Sequence, residues 1–309
     1  MQVEDELAEF APERESVLTI GVFDGIHLGH QHLLGYVKRQ ALIRDHLAGV
    51  VTFRQHPLEL ISPETHLLRL TSLEQRVSLL KDVGIDFVVP LSFTPELAGL
   101  SARDFSALLH KHLKMRGLVV GPDFALGRGR EGDVFKLRSL GKELGFWVDV
   151  VSPKMIDGEV ASSTNIRQAL TQGDMSKVRR LLGRPYSLTG LVGHGVERGR
   201  QLGFPTANLE VNSGQALPGD GVYASRAYVG DRAYPSVTNI GTRPTFGQGG
   251  RTVEIYLLGF EGGLYGQELR IELVDRLRGE ERFSSPEELK EQISRDVQQA
   301  ISILEKAEE

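Results

Sequence analysis

The chain has 309 residues, 40% hydrophobic and 25% charged, with a formal net charge of −5 and no cysteine. That length holds two ordinary cores; the missing cysteines exclude disulfides and thiolate metal sites, and the acidic balance argues against a general nucleic-acid surface. No run approaches the roughly 18–20 apolar residues of a membrane helix, and the acidic start Met1-Gln-Val-Glu-Asp-Glu is unlike an export signal, so a cytoplasmic enzyme with no membrane partner is expected.

Apolar runs at 17–22, 49–53, 87–91, 117–121 and 146–151 read as strands, and helical patterns fill 31–44, 73–83, 102–115 and 131–144. Ser72-Leu-Glu-Gln75 and Ser101-Ala-Arg-Asp104 have the form of helix N-terminal caps. Such alternation predicts an α/β domain, a doubly wound parallel sheet with helices on both faces. Ligands on these sheets bind at the carboxyl ends of the strands, so the loops 21–30, 52–57 and 121–132 are expected to converge.

The first loop, Gly21-Val-Phe-Asp-Gly-Ile-His27-Leu-Gly-His30, reads as a strand end, a tight glycine turn and the start of a helix. Helix N-termini favour anions, and two histidines three apart share a helix face, placed to donate to phosphate oxygens. By itself the decapeptide also fits a glycine turn with surface histidines.

Helical segments at 163–171 and 175–182 follow, and Gly183-Arg-Pro185 marks the domain boundary, giving domains 16–183 and 186–309. Beyond it, short glycine-punctuated strands at 186–192, 204–210, 221–229, 233–240, 252–259 and 268–277 predict a small six-stranded β-barrel. Val229-Gly-Asp-Arg232 reads as a hairpin turn. The helix 286–306 carries Leu289, Ile293, Val297, Ile301 and Leu304 as an apolar stripe, expected to pack on its own domain.

Further motifs stand in a definite order: Thr52-Phe-Arg-Gln-His56-Pro57, Val120-Gly-Pro-Asp-Phe124, Gly127-Arg-Gly-Arg-Glu-Gly132 and Ser162-Ser-Thr-Asn-Ile-Arg167. Then come Leu202-Gly-Phe-Pro-Thr-Ala-Asn-Leu209, Pro218-Gly-Asp-Gly-Val-Tyr-Ala224, Asn239-Ile-Gly-Thr-Arg-Pro-Thr245 and Val253-Glu-Ile-Tyr256. With the decapeptide, the first set resembles bacterial FAD synthetases of the nucleotidylyltransferase superfamily, and the second resembles riboflavin kinases. The resemblance spans roughly residues 16–305 and implies a bifunctional riboflavin kinase/FMN adenylyltransferase, with riboflavin, FMN and ATP as substrates, FAD as product and Mg²⁺ as cofactor.

For adenylyl transfer the resemblance implies that His27 and His30 clamp the triphosphate from one side, and Ser163, Thr164 and Arg167 from the other. Gly21, Phe23, Asp24 and Asp123 are then expected near the nucleotide. His56, Arg128 and Arg130 are expected at the flavin, the two arginines at its phosphate. For the kinase, Gly193, Gly195, Arg198 and Gly199 form a cationic glycine loop suited to phosphates. Thr206 and Asn208 alternate onto one strand face and supply neutral oxygens for Mg²⁺. Glu254 is the expected base for the riboflavin 5′-hydroxyl, and Arg278 is expected near flavin or nucleotide.

Duller readings stand beside these. Ser162-Ser-Thr is also a common helix cap, Thr206 and Asn208 also suit the end of a turn, and Glu254 an exposed strand. Gln55, Asn165, Tyr256 and Gly259 depart from the family pattern. Two other functions fit parts of the chain: a different nucleotidylyltransferase with an unrelated barrel, and a nucleotide-binding regulator without turnover. The segment Pro205-Thr-Ala-Asn208 and Glu254 speak against the first, and intact His27, His30, Arg167 and Glu254 against the second.

Overall fold

A computed structural model describes residues 3–62, 64, 67–193, 203–242 and 250–307. The chain divides into two compact units, 1–163 and 164–309.

The first unit runs α1 (Val3–Glu9), β1 (Ser16–Ile20), α2 (Leu28–Ile43), β2 (Leu47–Phe53), α3 (Pro57–Ile61), α4 (Leu73–Asp82), β3 (Phe87–Leu91), α5 (Pro95–Gly99), α6 (Ala102–His112) and β4 (Met115–Val120). It continues with α7 (Val134–Leu144), β5 (Trp147–Val150) and a small hairpin of β6 (Met155–Ile156) and β7 (Glu159–Val160). The sheet is parallel, in the order β3-β2-β1-β4-β5. Its central strand β1 is buried along its whole length, which is why it reads as an unbroken apolar run. Two apolar clusters pack against the sheet, one including Leu18, Leu109 and Leu137, the other Val17, Leu34 and Leu80. The expected doubly wound α/β arrangement is therefore present.

Chain order places β2 and β3 on one side of β1 and β4 and β5 on the other. The topological switch lies between β1 and β4, where ligands of such sheets bind. The capping sequences act as read: Ser72 and Gln75 form a reciprocal capping box, and Ser101 accepts from the Asp104 N–H. The short helices α1, α3 and α5 lack a periodic signature. In α1, Val3 and Leu7 are buried, and Glu6 accepts from the backbone N–H and hydroxyl of Ser92.

The second unit holds α8 (Ser163–Gln172) beyond its first residue, then α9 (Met175–Leu182), β8 (Tyr186–Gly193), β9 (Ala207–Val211), β10 (Gly221–Val229), β11 (Arg232–Thr242), β12 (Arg251–Leu257), β13 (Glu268–Arg278) and α10 (Pro286–Lys306). Strands β8 to β13 form a closed six-stranded barrel in the order β10-β11-β12-β9-β8-β13. Val229 pairs with Arg232 across a two-residue turn in which Gly230 has φ +58°. Helix α10 lays Val297, Ala300, Ile303 and Leu304 on Val222, Ala224, Val237 and Val274 of the barrel's outer face. Helices α8 and α9, attached by sequence to the first half, cluster with the barrel, and α9 packs on β8 and β13.

Candidate active sites

In the first unit the backbone of the signature loop is sharply contorted. Phe23, Gly25 and Ile26 have φ of 53°, 84° and 40°. Left-handed conformations cost a phenylalanine and especially a β-branched isoleucine, and such strain gathers at functional sites. Buried polar contacts hold the loop in place. The Asp24 carboxylate accepts the Leu70 N–H at 2.9 Å, the Thr71 N–H at 3.0 Å and the Thr71 hydroxyl at 3.1 Å. It is buried, so its oxygens anchor the 70–71 segment rather than open onto a ligand. The Asp24 carbonyl accepts the Ser163 hydroxyl at 2.9 Å.

Arg76, on α4, is a second anchor and one that sequence reasoning missed. Its Nη1 donates to the Val22 carbonyl at 2.9 Å, the Phe53 carbonyl at 2.9 Å and the Thr52 hydroxyl at 3.1 Å. These contacts join the chain ends leaving β1 and β2 around one buried guanidinium. The available signal is a cation four residues before the buried Leu80, on the inward face of the helix.

His27 is the N-cap of α2, and its Nδ1 accepts the His30 N–H at 3.2 Å. That bond assigns the proton to Nε2, leaving Nε2–H as a donor. The His30 ring stacks on His27 at 3.6 Å between centroids and meets the edge of Phe23 at 5.0 Å. Phe23 is itself a core residue that backs the histidine pair. Gly21 donates its N–H to the Val51 carbonyl at 3.0 Å.

His30 Nδ1 is buried with no hydrogen-bond partner among the described residues. Desolvation, then the neighbouring His27 and Arg76, push the His30 pKa well below 6.5, so its ring is neutral at pH 7. The folded pKa thus lies below that of the unfolded chain, and the unfolded chain binds the extra proton as pH falls. Stability from this group is full above pH 6.5 and is lost below it. His30→Gln is expected to flatten the decline of the thermal midpoint between about pH 7 and pH 5. Parallel slopes for variant and parent would refute this.

Around the pair lies a pocket of about 150 Å³ lined by His27, Gly29 and His30, by Gly121 after β4, and by Val151 and Lys154 after β5. It therefore sits at the switch point. Gly29 is needed there, because a Cβ would stand 2.5 Å from the Ala161 carbonyl oxygen.

The remaining candidates of this unit sit on loops. Arg130 donates to the Asp123 carbonyl at 2.9 Å, while Arg128 projects into solvent. His56 caps α3, its Nδ1 accepting the Leu58 N–H at 3.2 Å. Gln55 accepts the Phe93 N–H at 3.3 Å. Thr164 and Arg167 belong to the second unit, on one face of α8.

In the barrel, Glu254 stands opposite Asn208 on one neighbouring strand and Asn239 on the other. Its half-buried position alternates with buried Val253, Ile255 and Leu257, so the three polar residues form a row across the outer face. Asn239, in a motif noted above, is a site neighbour that sequence reasoning did not name. Thr206 lies just before β9, half-buried like Asn208, and lines a pocket of about 140 Å³ with Val192, Leu257, Phe260 and Tyr265. Tyr256 packs edge-on against Phe204 at 5.4 Å, and Gly259 has φ +68°, a conformation glycine adopts freely. Gly193 closes β8 opposite Asn208; Gly195, Arg198 and Gly199 lie outside the described residues.

Arg278 is committed elsewhere. Its Nε and Nη2 meet the buried Asp296 carboxylate of α10 at 3.0 and 2.8 Å. The guanidinium ties the terminal helix to the barrel, and neither nitrogen is left to reach a flavin.

A strained glycine turn and a histidine-capped helix at a parallel-sheet switch point define a nucleotide-handling α/β unit, here joined to a barrel with a polar row. The FAD synthetase family model matches residues 10–165 and the riboflavin kinase model residues 182–304. The chain is 41% identical to the bifunctional riboflavin kinase/FMN adenylyltransferase of Escherichia coli (strain K12), over 93% of this chain and 92% of that protein. With the enzyme of that name from Pseudomonas fluorescens it shares 39% identity over 98% of both chains. A crystal structure titled macrolide-efflux protein from Streptococcus pneumoniae superposes with a TM-score of 0.87 at 29% identity, covering 94% of this chain and 95% of that one. Among the described residues no helix is long and apolar enough to cross a membrane. The chain belongs to the bifunctional riboflavin kinase/FMN adenylyltransferase family.

Proposed function

We propose that this chain phosphorylates riboflavin with ATP, giving FMN and ADP, and then transfers AMP from a second ATP to FMN, giving FAD and pyrophosphate. The observation that carries this reading is the near full-length identity to enzymes of both activities, with each family model on its own half. Incubation with riboflavin and MgATP, followed by chromatography of flavins and release assays for ADP and pyrophosphate, tests it. Absence of either FMN or FAD would remove the corresponding activity.

In adenylyl transfer, His27 Nε2–H and the His30 ring donate to charge developing on the phosphates, a role that preorganised neutral donors perform well. Arg128, exposed and cationic, binds the FMN phosphate; Thr164 and Arg167 enter on their sequence motif. In the kinase, Glu254 takes the proton of the riboflavin 5′-hydroxyl as that oxygen attacks the γ-phosphorus. Thr206 lines an apolar, aromatic-lined pocket and Asn208 follows two residues on, in β9; their neutral oxygens are a donor set that fits Mg²⁺ completed by water and phosphate oxygens. These two residues would hold the ion, and it would supply neutralisation of charge on the nucleotide phosphates. The partners are small molecules, and the place of action is the cytoplasm, where ATP is at hand.

The two activities separate along the chain. The sequence boundary at 186 leaves out α9, whose buried Met175, Val178, Leu181 and Leu182 pack in the barrel unit. Each fully buried apolar side chain contributes about 1.5–3 kcal/mol. A fragment of residues 164–309 is expected to make FMN and no FAD, and to melt well above a fragment of residues 186–309. Equal melting temperatures would show that α9 adds nothing to the barrel.

A further inference from the structure

Among the residues lining the histidine pocket, Lys154 is the one lysine or arginine. We propose that Lys154 is a further substrate-binding residue of the adenylyl-transfer site, holding the polyphosphate of ATP and the pyrophosphate that leaves. The inference rests on the FMN adenylyltransferase reading above.

Three observations carry it. The first is position. The Ala161 N–H donates to the Lys154 carbonyl at 3.1 Å, closing the small β6–β7 hairpin. The Ala161 carbonyl in turn lies against Gly29, where an added Cβ would be 2.5 Å away. Backbone contacts thus run from Lys154 to the first turn of the signature helix, and the lysine is held at the lip of the pocket. The second is availability. Lys154 makes no ion pair among the described residues, and its side chain is exposed.

The third is charge balance. In the reaction an oxygen of the FMN phosphate attacks the α-phosphorus of ATP. The bond from that phosphorus to the bridging oxygen breaks, and pyrophosphate departs with the bonding electrons. Negative charge therefore accumulates beside the histidine pair. His27 has one ring nitrogen committed to the helix cap, and its ring is stacked at 3.6 Å on that of His30. Two imidazolium ions at that separation repel each other. The pair offers hydrogen bonds but no dependable net charge, and a lysine is the compact point charge suited to a polyphosphate.

The test compares the full chain with Lys154→Met and Lys154→Arg in FAD synthesis from supplied FMN, and in the reverse reaction from FAD and pyrophosphate. Loss of one charged contact is expected to raise KM for both ATP and pyrophosphate about tenfold in Lys154→Met, with KM for FMN nearly unchanged. Lys154→Arg is expected to restore most of the loss. The rise of KM for ATP with added KCl is expected to be shallower in Lys154→Met, because a screened charge has been removed. Riboflavin phosphorylation and the thermal midpoint report whether the fold is intact. If the parent makes FAD and Lys154→Met keeps both KM values within about twofold, the proposal is wrong while the function stands. If the parent makes no FAD, the adenylyltransferase reading and this proposal fall together.

Discussion

Replacing Glu254 by glutamine is expected to lower kcat for riboflavin phosphorylation by about 10²–10⁴, the usual range for a positioned general base. The substitution is nearly isosteric and falls in the middle of a paired strand, with Asn239 and Asn208 opposite on the two neighbours. The barrel and its flavin affinity should therefore persist. A loss confined to the transition state lowers kcat and kcat/KM alike. FAD formation from supplied FMN should be normal, since the residues assigned to it lie outside the barrel strands. Wild-type phosphorylation by Glu254→Gln would make this residue an ordinary strand carboxylate.

The histidine pair should behave differently. His30→Ala removes a stacked ring whose Nδ1 has no hydrogen-bond partner among the described residues, and FAD synthesis is expected to fall by roughly 10²–10³ with FMN production intact. His27→Ala combines that loss with loss of the helix cap, which costs about 1 kcal/mol in stability. His27→Asn separates the two effects, because asparagine caps well but cannot place a donor where Nε2–H stood. It is expected to melt like the parent and yet to lose most adenylyl transfer. A fully active His27→Asn would leave His27 with its capping role alone.

The architecture could be read from sequence because its signals are periodic. Buried strands such as β1 are unbroken apolar runs, and the barrel strands alternate, as Val253, Ile255 and Leu257 do around Glu254. The turn and helix start of the switch-point loop were legible for a similar reason, in the spacing of its glycines and histidines. What stayed hidden depends on partners distant in sequence. The oxygens of Asp24 are claimed by backbone 46 and 47 residues away. Arg76 reaches carbonyls 54 and 23 residues away, and Arg278 pairs with a carboxylate 18 residues on, in the terminal helix. No local pattern records whether a charged side chain faces a ligand or a second piece of backbone.

The two sheets also differ in how each would fail. Every strand of the barrel has a neighbour on both sides, so the folded kinase half presents no ladder to which another chain can add. The parallel sheet ends in β3 and β5, and open edges are the usual templates for cross-chain pairing. Strand β3 carries Pro90, a residue tolerated at an edge that interrupts further strand addition. Strand β5 is short and contains Asp149, whose carboxylate accepts the Tyr36 hydroxyl at 2.9 Å. Its guards among the described residues include brevity, that carboxylate and the Arg44 guanidinium over the Trp147 ring. During concentrated refolding, intermolecular association should therefore begin at β5 of the adenylyl-transfer half.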